Sequence, residues 1–584
     1  MPAMSDAAAN APAAPAKRET NVKETIESIL IAFILAFIFR AFIVEAFVIP
    51  TGSMATTLLG AHMRFDCLDC GYPFTVNYSG DSLEGDIQIP AIARKDLVDR
   101  QGRRTGQSID QVFALHCPNC GFRVPRRDDA RPEQDATAPP VHFGDRILVL
   151  KYVYLLRDPA RWDVVVFKSP DSDRRDYSQN YIKRLVGRPN ESLVLVDGDI
   201  YTGPYDADEP EQFRIARKDR AAQAALWRIV YDHDFQPVPP GRPRDVTNAA
   251  NQVVRVEPKF EIPWNLADGT GWKTDENDRR VFVFDQSAGA GALRFNSAAN
   301  PTRHPLTDWL AYDVTVNQSS AHGTNVRPLF DLFERGGYVR GQHPLSNVSD
   351  VKLAFHYHRL GGEGPLRLTL TKLDQVLVAE FVPGQVRLLH RDGEAGELRR
   401  VGETRAPEGV RPMRIEFVNA DYRAQVIVNG QVLLEHEYEP RLRELIEADV
   451  ANREHPRPTI EIAAENQQSR VSHLSVWRDV FYASRGENLA FVPRATPYNF
   501  PFNVVRLKDD EYFVLGDNPL ISGDARSWRS GVELPRENLF VEAGRVPGQF
   551  LLGKAFFVYW PAGFRPFPGA PGIVPNFGDM RFIH

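Results

Sequence analysis

A serine framed by small residues stands in Ile49-Pro50-Thr51-Gly52-Ser53-Met54, directly after an apolar stretch near the N-terminus of a 584-residue chain. A serine hydroxyl is a poor nucleophile until a base takes its proton, and an amine can do so only when neutral. Lys183 lies inside the apolar, strand-like run Tyr181-Ile182-Lys183-Arg184-Leu185-Val186-Gly187. At its ordinary pKa of about 10.4 a lysine is almost wholly charged at neutral pH, whereas burial among apolar groups lowers it by several units. Strand alternation puts Tyr181, Lys183 and Leu185 on one face and Ile182, Arg184 and Val186 on the other, so a buried first face would give the amine an apolar pocket. Taken alone, Lys183 reads as an ordinary solvated strand lysine; the serine motif makes it a candidate base. A third polar group, Gly516-Asp517-Asn518 through Ser522-Gly523-Asp524-Ala525-Arg526, follows near the C-terminus. In it Asp524 and Arg526 support the loop, and Asp517 anchors the turn rather than acting as a base.

In this order the three segments resemble type I bacterial signal peptidase, a Ser-Lys endopeptidase. Gly144 to Lys151 is similar to that family's strand after the nucleophile, Trp162 to Phe167 to the next strand, and Gly553 to Trp560 to its closing strand. The resemblance takes in the early and final parts of the chain and leaves out its middle. It implies Ser53 as nucleophile, Lys183 as base and then acid, the Thr51 hydroxyl assisting the Ser53 amide at the oxyanion, and Ser522 hydrogen-bonding the lysine amine. Lysine rather than histidine at 183 sets the chain apart from the endoplasmic-reticulum type. Thr51 stands where serine is common, which keeps the hydroxyl and restricts its rotamers; a turn-stabilising hydroxyl is its other reading. Ala55-Thr56 and Pro519-Leu520-Ile521 depart from the family pattern. Phe47, Val48 and Ile49 could line shallow pockets for small side chains, as the family's Ala-x-Ala preference requires, or contact lipid.

All four cysteines fall in two knuckles, Cys67-Leu68-Asp69-Cys70 and Cys117-Pro118-Asn119-Cys120, each followed by a glycine and an aromatic residue. The paired spacing resembles a zinc ribbon: Cys67, Cys70, Cys117 and Cys120 would hold a structural zinc in a closed thiolate tetrad with no position open to substrate. Two disulfides are the alternative, since an outward-facing domain meets an oxidising compartment. No cofactor is expected for catalysis.

The elements that must position these residues are strands. Arg146 to Lys151, Val164 to Phe167, Tyr181 to Val186, Ser192 to Val196, Tyr512 to Leu515 and Lys554 to Tyr559 are short β-branched or aromatic runs bounded by Gly, Pro or Asp. A mainly β fold is therefore expected: a signal-peptidase-type catalytic domain from 46–66, 137–205 and 486–584, interrupted by a four-cysteine zinc-ribbon-like insertion at 67–136 and a longer one at 222–485. Within the latter, Trp309 to Val316, Val351 to His358, Leu366 to Leu370, Val376 to Phe381, Val386 to His390, Arg414 to Val418, Ala424 to Val428 and Thr459 to Ala463 are further strands, with Asn429-Gly430 marking a tight hairpin. Arg470 to Tyr482 resembles the last strand of a laminin-G or concanavalin-like jelly roll, so this insertion is expected to be an independently folding β-sandwich with a sugar or protein ligand. Trp264, Trp272 and Trp309 read as core aromatics before sugar platforms.

Hydrophobic content of 43% and the chain's length allow more than one core. The net charge of -6, with no long Lys or Arg block, does not favour nucleic acid as a partner. Residues 1–25 read as a cytoplasmic tail and 26–45 as a single transmembrane helix; a cleaved h-region or a buried helix would share the unbroken run Ile29 to Phe39. Lys17, Arg18 and Lys23 before the run and Glu45 after it orient the rest of the chain outward. The implied protein is a serine endopeptidase of the cytoplasmic (inner) membrane that removes signal peptides from exported preproteins. Its rivals are an inactive membrane platform that binds through the sandwich, and a soluble Ser-Lys self-cleaving regulator, which the apolar segment contradicts. Zincin and α/β-hydrolase readings find no His-Glu-x-x-His or Gly-x-Ser-x-Gly.

Overall fold

A computed structural model describes residues 22–67, 69–80, 96–98, 104–108, 117–122, 141–169, 179–237, 244–247, 253–256, 260–266, 271–299, 306–319, 323–328, 346–407, 412–451, 453, 455–482, 504–528, 531–534, 539–561 and 576–584. The fold is mainly β, with one N-terminal apolar helix. That helix, Val22–Ile38, continues into a wider turn at Phe39–Ile43, and Thr25–Ile43 is long and apolar enough to cross a membrane. The expected span of 26–45 runs too far. Val44 and Glu45 already belong to the strand Val44–Val48, paired with Leu150 and Val149, and Glu45 makes an ion pair with Lys151 at 3.3 Å.

This strand begins an antiparallel sheet in the order Val44–Val48, Arg146–Leu150, Leu551–Trp560, Val164–Lys168, Asn180–Gly187, Glu511–Leu515 and Val546–Pro547. Every strand expected here forms, within a few residues of its expected ends. The central strands are apolar without alternation because both faces are covered. Val165, Phe167 and Leu185 enter one core with Leu193, Leu195, Phe513, Leu515 and Trp528, while Val164, Val166 and Ile182 enter another with Ile49, Met54, Leu58 and Ile147. A smaller sheet of Arg214–Ile215, Asp199–Pro204, Glu191–Val196 and Val505–Leu507 completes the first core.

The middle of the chain builds a sheet of two leaves that share one strand. Ile460–Arg478 pairs through its first part with Leu366–Lys372 and through its second with Val351–Gly362, while Phe282–Phe295 runs along its other edge. Leu368, Leu377 and Leu388 of one leaf meet Phe355, Phe417 and Val426 of the other in a common core that also takes in Trp264 and Trp272. The hairpin forms at Asn429-Gly430, both at positive φ. Two expectations change. Thr459 to Ala463 and Arg470 to Tyr482 are not separate strands: the polar residues between them continue the ladder because Gln467, fully buried, accepts from the Tyr357 hydroxyl at 2.5 Å and donates to the Pro365 carbonyl at 2.8 Å. Trp309 to Val316 is not one strand: Ala311–Asp313 is a helical turn and Val314–Ser319 follows it.

The boundaries 67–136 and 222–485 cut through structure that is joined. Val314–Ser319 lies parallel to Pro73–Gly80, in one sheet with His62–Asp66. Asn119 of the second knuckle donates to the carbonyls of Asp232 and Phe235 and accepts from the Asp232 amide. Ala222 falls inside the helix Arg220–Leu226, which Asp219 caps. At the seam with the smaller sheet, Lys372 bonds Asp199 at 2.9 Å and Asp350 at 2.6 Å, and Lys218 pairs with Asp421 and, at 3.0 Å, with Asp479, all buried. Asp199, Asp350 and Asp421 gather within 4.8 Å, and the two ammonium groups already serve as their cations. Of the expected catalytic domain, residues 137–140 and 486–503 lie outside the described residues.

Candidate active site

Ser53 occupies the single helical turn Gly52–Met54 that follows the Val44–Val48 strand. Met54 beside it is wholly buried in the core with Ile49 and Leu58, which fixes the turn from below. From the other side the Asn518 amide donates to the Ser53 carbonyl at 3.1 Å, tying the turn to the loop after Glu511–Leu515. Lys183 projects from the centre of Asn180–Gly187, opposite Val165. Its Nζ donates to Ser53 Oγ at 2.7 Å and to the Ile182 carbonyl at 3.1 Å. Only 4% of Lys183 and 7% of Ser53 is exposed.

The apolar pocket expected from strand alternation is present: Tyr181 and Leu185 flank Lys183 in the core that holds Phe167 and Trp528, and the Tyr181 ring centroid is 5.6 Å from Nζ. Burial pulls the lysine pKa down to about 8 from 10.5, against the opposing charges of Asp524 and Asp517 and with help from Arg526.

The loop behind the pair is built from two buried ion pairs. Asp524 accepts from the Gly516 amide at 3.0 Å and from Arg526 Nε and Nη2 at 2.9 and 2.8 Å, and Arg526 also donates to the Pro519 carbonyl. Burial opposes the charge on Asp524, but the Arg526 guanidinium and the amide bond hold its carboxyl below the usual range. Arg184, next in sequence to the lysine and on the opposite face, forms a bidentate pair with Asp517, both bonds 2.7 Å and both groups fully buried. A charged residue inside an apolar run was the visible signal for this pair, and its partner was read as a turn anchor. Arg228 was not foreseen: it reaches the Ala55 and Asp517 carbonyls at 3.5 and 3.4 Å from the edge of the expected insertion.

Ser522 and Ile49 differ from expectation, and Thr51 is only loosely tied to the nucleophile. The Ser522 hydroxyl is buried, lies against Gly516 beside the Ser53 carbonyl, and makes no hydrogen bond among the described residues, to Lys183 or otherwise. The reach of a serine side chain depends on how its loop turns, and Pro519-Leu520-Ile521 is the part that departs from the family. Thr51 is exposed, its Oγ1 donating to Ser53 Oγ at 3.5 Å, the outer limit of a hydrogen bond. Ile49 cannot line a pocket for small side chains, because it is 2% exposed and packed against Met54; Val48 is open to solvent.

Cys67, Cys70, Cys117 and Cys120 come together with no disulfide between them. The Cys67 and Cys120 sulfurs are 3.6 Å apart, those of Cys70 and Cys117 3.7 Å, and all four lie within 4.8 Å. A tetrahedron of thiolates at about 2.3 Å from zinc has edges of about 3.8 Å, so the set fits that ion, whereas a disulfide needs sulfurs about 2.05 Å apart. The two knuckles repeat one backbone design: Gly71 N donates to Cys67 O and Gly121 N to Cys117 O, each glycine at φ 76°.

Residues 130–243, which include Lys183 and its strand, match the family described as signal peptidase, peptidase S26. Among named proteins, the chain is 32% identical over 72 residues to the probable signal peptidase I-2 of a Synechocystis species, and 42% identical over 59 residues to signal peptidase I of Rickettsia typhi. These stretches are 12% and 10% of this chain, and they span 33% and 21% of the relatives. The matches support a peptidase of the type I signal peptidase class. Among solved structures, the carbohydrate-binding module CBM66 from Bacillus subtilis aligns over 37% of this chain and 94% of its own at 8% identity and a TM-score of 0.21. Sheep galectin-11 aligns over 22% of this chain and 90% of its own at 12% identity and a TM-score of 0.15. Likeness at that level transfers neither fold nor ligand.

Proposed function

We propose that this chain is a membrane-anchored serine endopeptidase that cleaves signal peptides from exported preproteins through a Ser53-Lys183 dyad. The observation that carries the reading is the 2.7 Å bond between a buried lysine, with its pKa lowered to about 8, and a serine fixed at the end of a membrane-proximal strand. Ser53 Oγ attacks the scissile carbonyl as neutral Lys183 takes its proton. The Ser53 amide and the Thr51 hydroxyl stabilise the oxyanion, and the lysine returns the proton to the leaving amine. Water, deprotonated by the same amine, then releases the acyl group. Asp524, Arg526, Asp517 and Arg184 act through position, since each is committed to an ion pair, and Ser522 packs beside the nucleophile.

Thr25–Ile43 would anchor the chain in the cytoplasmic membrane with its N-terminus inside and Ser53 at the outer surface. The four cysteines would hold one structural zinc, and the two-leaved sheet would position the peptidase or bind a sugar or protein. The alternative, an inactive platform for the sheet, leaves the buried Lys183 without a use. Acid quenching during turnover of a preprotein, then mass analysis of the peptide bearing Ser53, tests the reading: a signal-peptide acyl adduct on Ser53 is expected. Cleavage that leaves no adduct and persists undiminished in Ser53→Ala would refute it.

A further inference from the structure

The four-cysteine region reaches the nucleophile turn from two sides, each time through a residue from the middle of the chain. On the leading side stands Tyr312. It is 2% exposed and lies so close over Gly52 that a Cβ there would meet its Cε1 at 2.4 Å. The tyrosine belongs to the turn Ala311–Asp313. Ala311 packs against the core built around the cysteines, and the strand that follows, Val314–Ser319, pairs with Pro73–Gly80. On the trailing side stands Arg228, 3% exposed, whose Nη2 reaches the Ala55 carbonyl at 3.5 Å and the Thr57 hydroxyl and Asp517 carbonyl at 3.4 Å each. Arg228 begins the strand Arg228–Asp232, and the far end of that strand is tied to the second knuckle. There the buried Asn119 side chain donates to the Asp232 and Phe235 carbonyls at 3.0 and 2.7 Å and accepts from the Asp232 amide at 2.8 Å.

We infer that Tyr312 and Arg228 are positioning residues through which the cysteine tetrad sets the geometry of the nucleophile turn. The inference rests on the peptidase reading of Ser53 and on zinc in the tetrad. Gly52 and Ala55 bracket the nucleophile, whose Oγ must keep its 2.7 Å bond to Lys183 and a line of attack on the substrate carbonyl. The turn closes on the 3.0 Å bond from the Ala55 amide to the Gly52 carbonyl, and one helical turn is too short to hold its own shape. A displacement of about 1 Å costs about a hundredfold in rate. A packed ring on one flank and a buried guanidinium on the other resist that displacement, because neither yields without opening the core behind it. Four thiolates on one zinc fix the two knuckles to each other, and with them the supports of Ala311 and Asp232. Loss of the metal slackens both flanks together, so the reaction slows although the zinc lies away from the reacting atoms.

The test measures preprotein cleavage, zinc content and hydrogen exchange on the full chain in detergent, for wild type before and after chelation and for Tyr312→Ala, Tyr312→Phe, Arg228→Met and the Tyr312→Ala/Arg228→Met double variant. Tyr312→Ala and Arg228→Met are expected to keep their zinc and to lower kcat about 10 to 100-fold with KM within about twofold of wild type, while Tyr312→Phe, which keeps the ring, stays near wild type. Exchange should quicken over Ile49 to Leu58 and stay slow over Asn180–Gly187, which separates a loosened turn from general unfolding. Chelation of wild type should reproduce both effects. It should add little to the double variant, in which the two supports are already gone. Should Tyr312→Ala fail to fold, Arg228→Met and chelation decide. Exchange over Ile49 to Leu58 that neither the variants nor chelation alter, a tetrad that binds no zinc, or a Tyr312→Phe variant as slow as Tyr312→Ala overturns the inference and leaves the peptidase standing. Absence of any Ser53-dependent cleavage by wild type overturns both.

Discussion

An amine with the ordinary lysine pKa of 10.5 is neutral in roughly three molecules in ten thousand at pH 7; lowered to about 8, it is neutral in about one in ten. The rate should therefore climb with pH through about 8 and level off above it, and a kcat/KM profile flat from pH 6 to 9 would remove Lys183 from the role of base. Linkage gives a second consequence of the same burial. The unfolded chain keeps the Lys183 proton up to about 10.5 and the folded chain only to about 8, so this residue penalises folding fully below pH 8, and the penalty fades as pH rises to 10.5. Lys183→Met should then stabilise the fold at pH 7 by a few kcal/mol and lose that advantage by pH 11, as denaturant unfolding at both pH values would reveal. Ser522→Ala removes a buried hydroxyl that makes no hydrogen bond among the described residues, so kcat/KM should fall less than about tenfold with no loss of stability. A larger loss would mean that the hydroxyl turns to the lysine when substrate binds. The meeting of Ser53 and Lys183 was legible in the sequence because each sits in its own local motif; the surroundings of the Ser522 hydroxyl were not, because hydroxyl contacts depend on loop geometry that no spacing encodes.

Strands were the most legible elements, since β-branched runs bounded by turn residues set both type and extent, as at Val164–Lys168 and Asn180–Gly187. The failure at Ile460–Arg478 has a definite cause: Gln467 and Ser469 look like a break because they are polar, yet they are buried within the ladder. Knuckles are legible for a different reason, their spacing being a property of the turn itself. They carry a prediction of their own. About one zinc per chain should be found by metal analysis, with four thiols titrating after chelation and denaturation, and Cys67→Ser should lower the affinity and loosen Pro73–Gly80. Two disulfides and no metal would contradict it. Because Val314–Ser319 pairs with that strand, hydrogen exchange should quicken in both segments together.

At the scale of the whole molecule, pairing across long sequence distances is what the sequence kept hidden: nothing local to Lys372 announces Asp199, and nothing near Asn119 announces Asp232. The middle of the chain is consequently less separable than its composition suggested. Excising 222–485 would strip Lys372 from Asp199, and Asp421 and Asp479 from Lys218, and breaking a buried pair on one side costs about 3 to 5 kcal/mol, a large part of a domain's stability. The shortened chain should unfold far below the intact one in a thermal scan; equal midpoints would show that the clamp contributes nothing. The most direct test of the central claim uses the intact chain in lipid vesicles with a preprotein, comparing wild type, Ser53→Ala and Lys183→Met, with the product's N-terminus sequenced. The account predicts mature protein from wild type and none from either folded variant; processing by Ser53→Ala at the wild-type rate would contradict it.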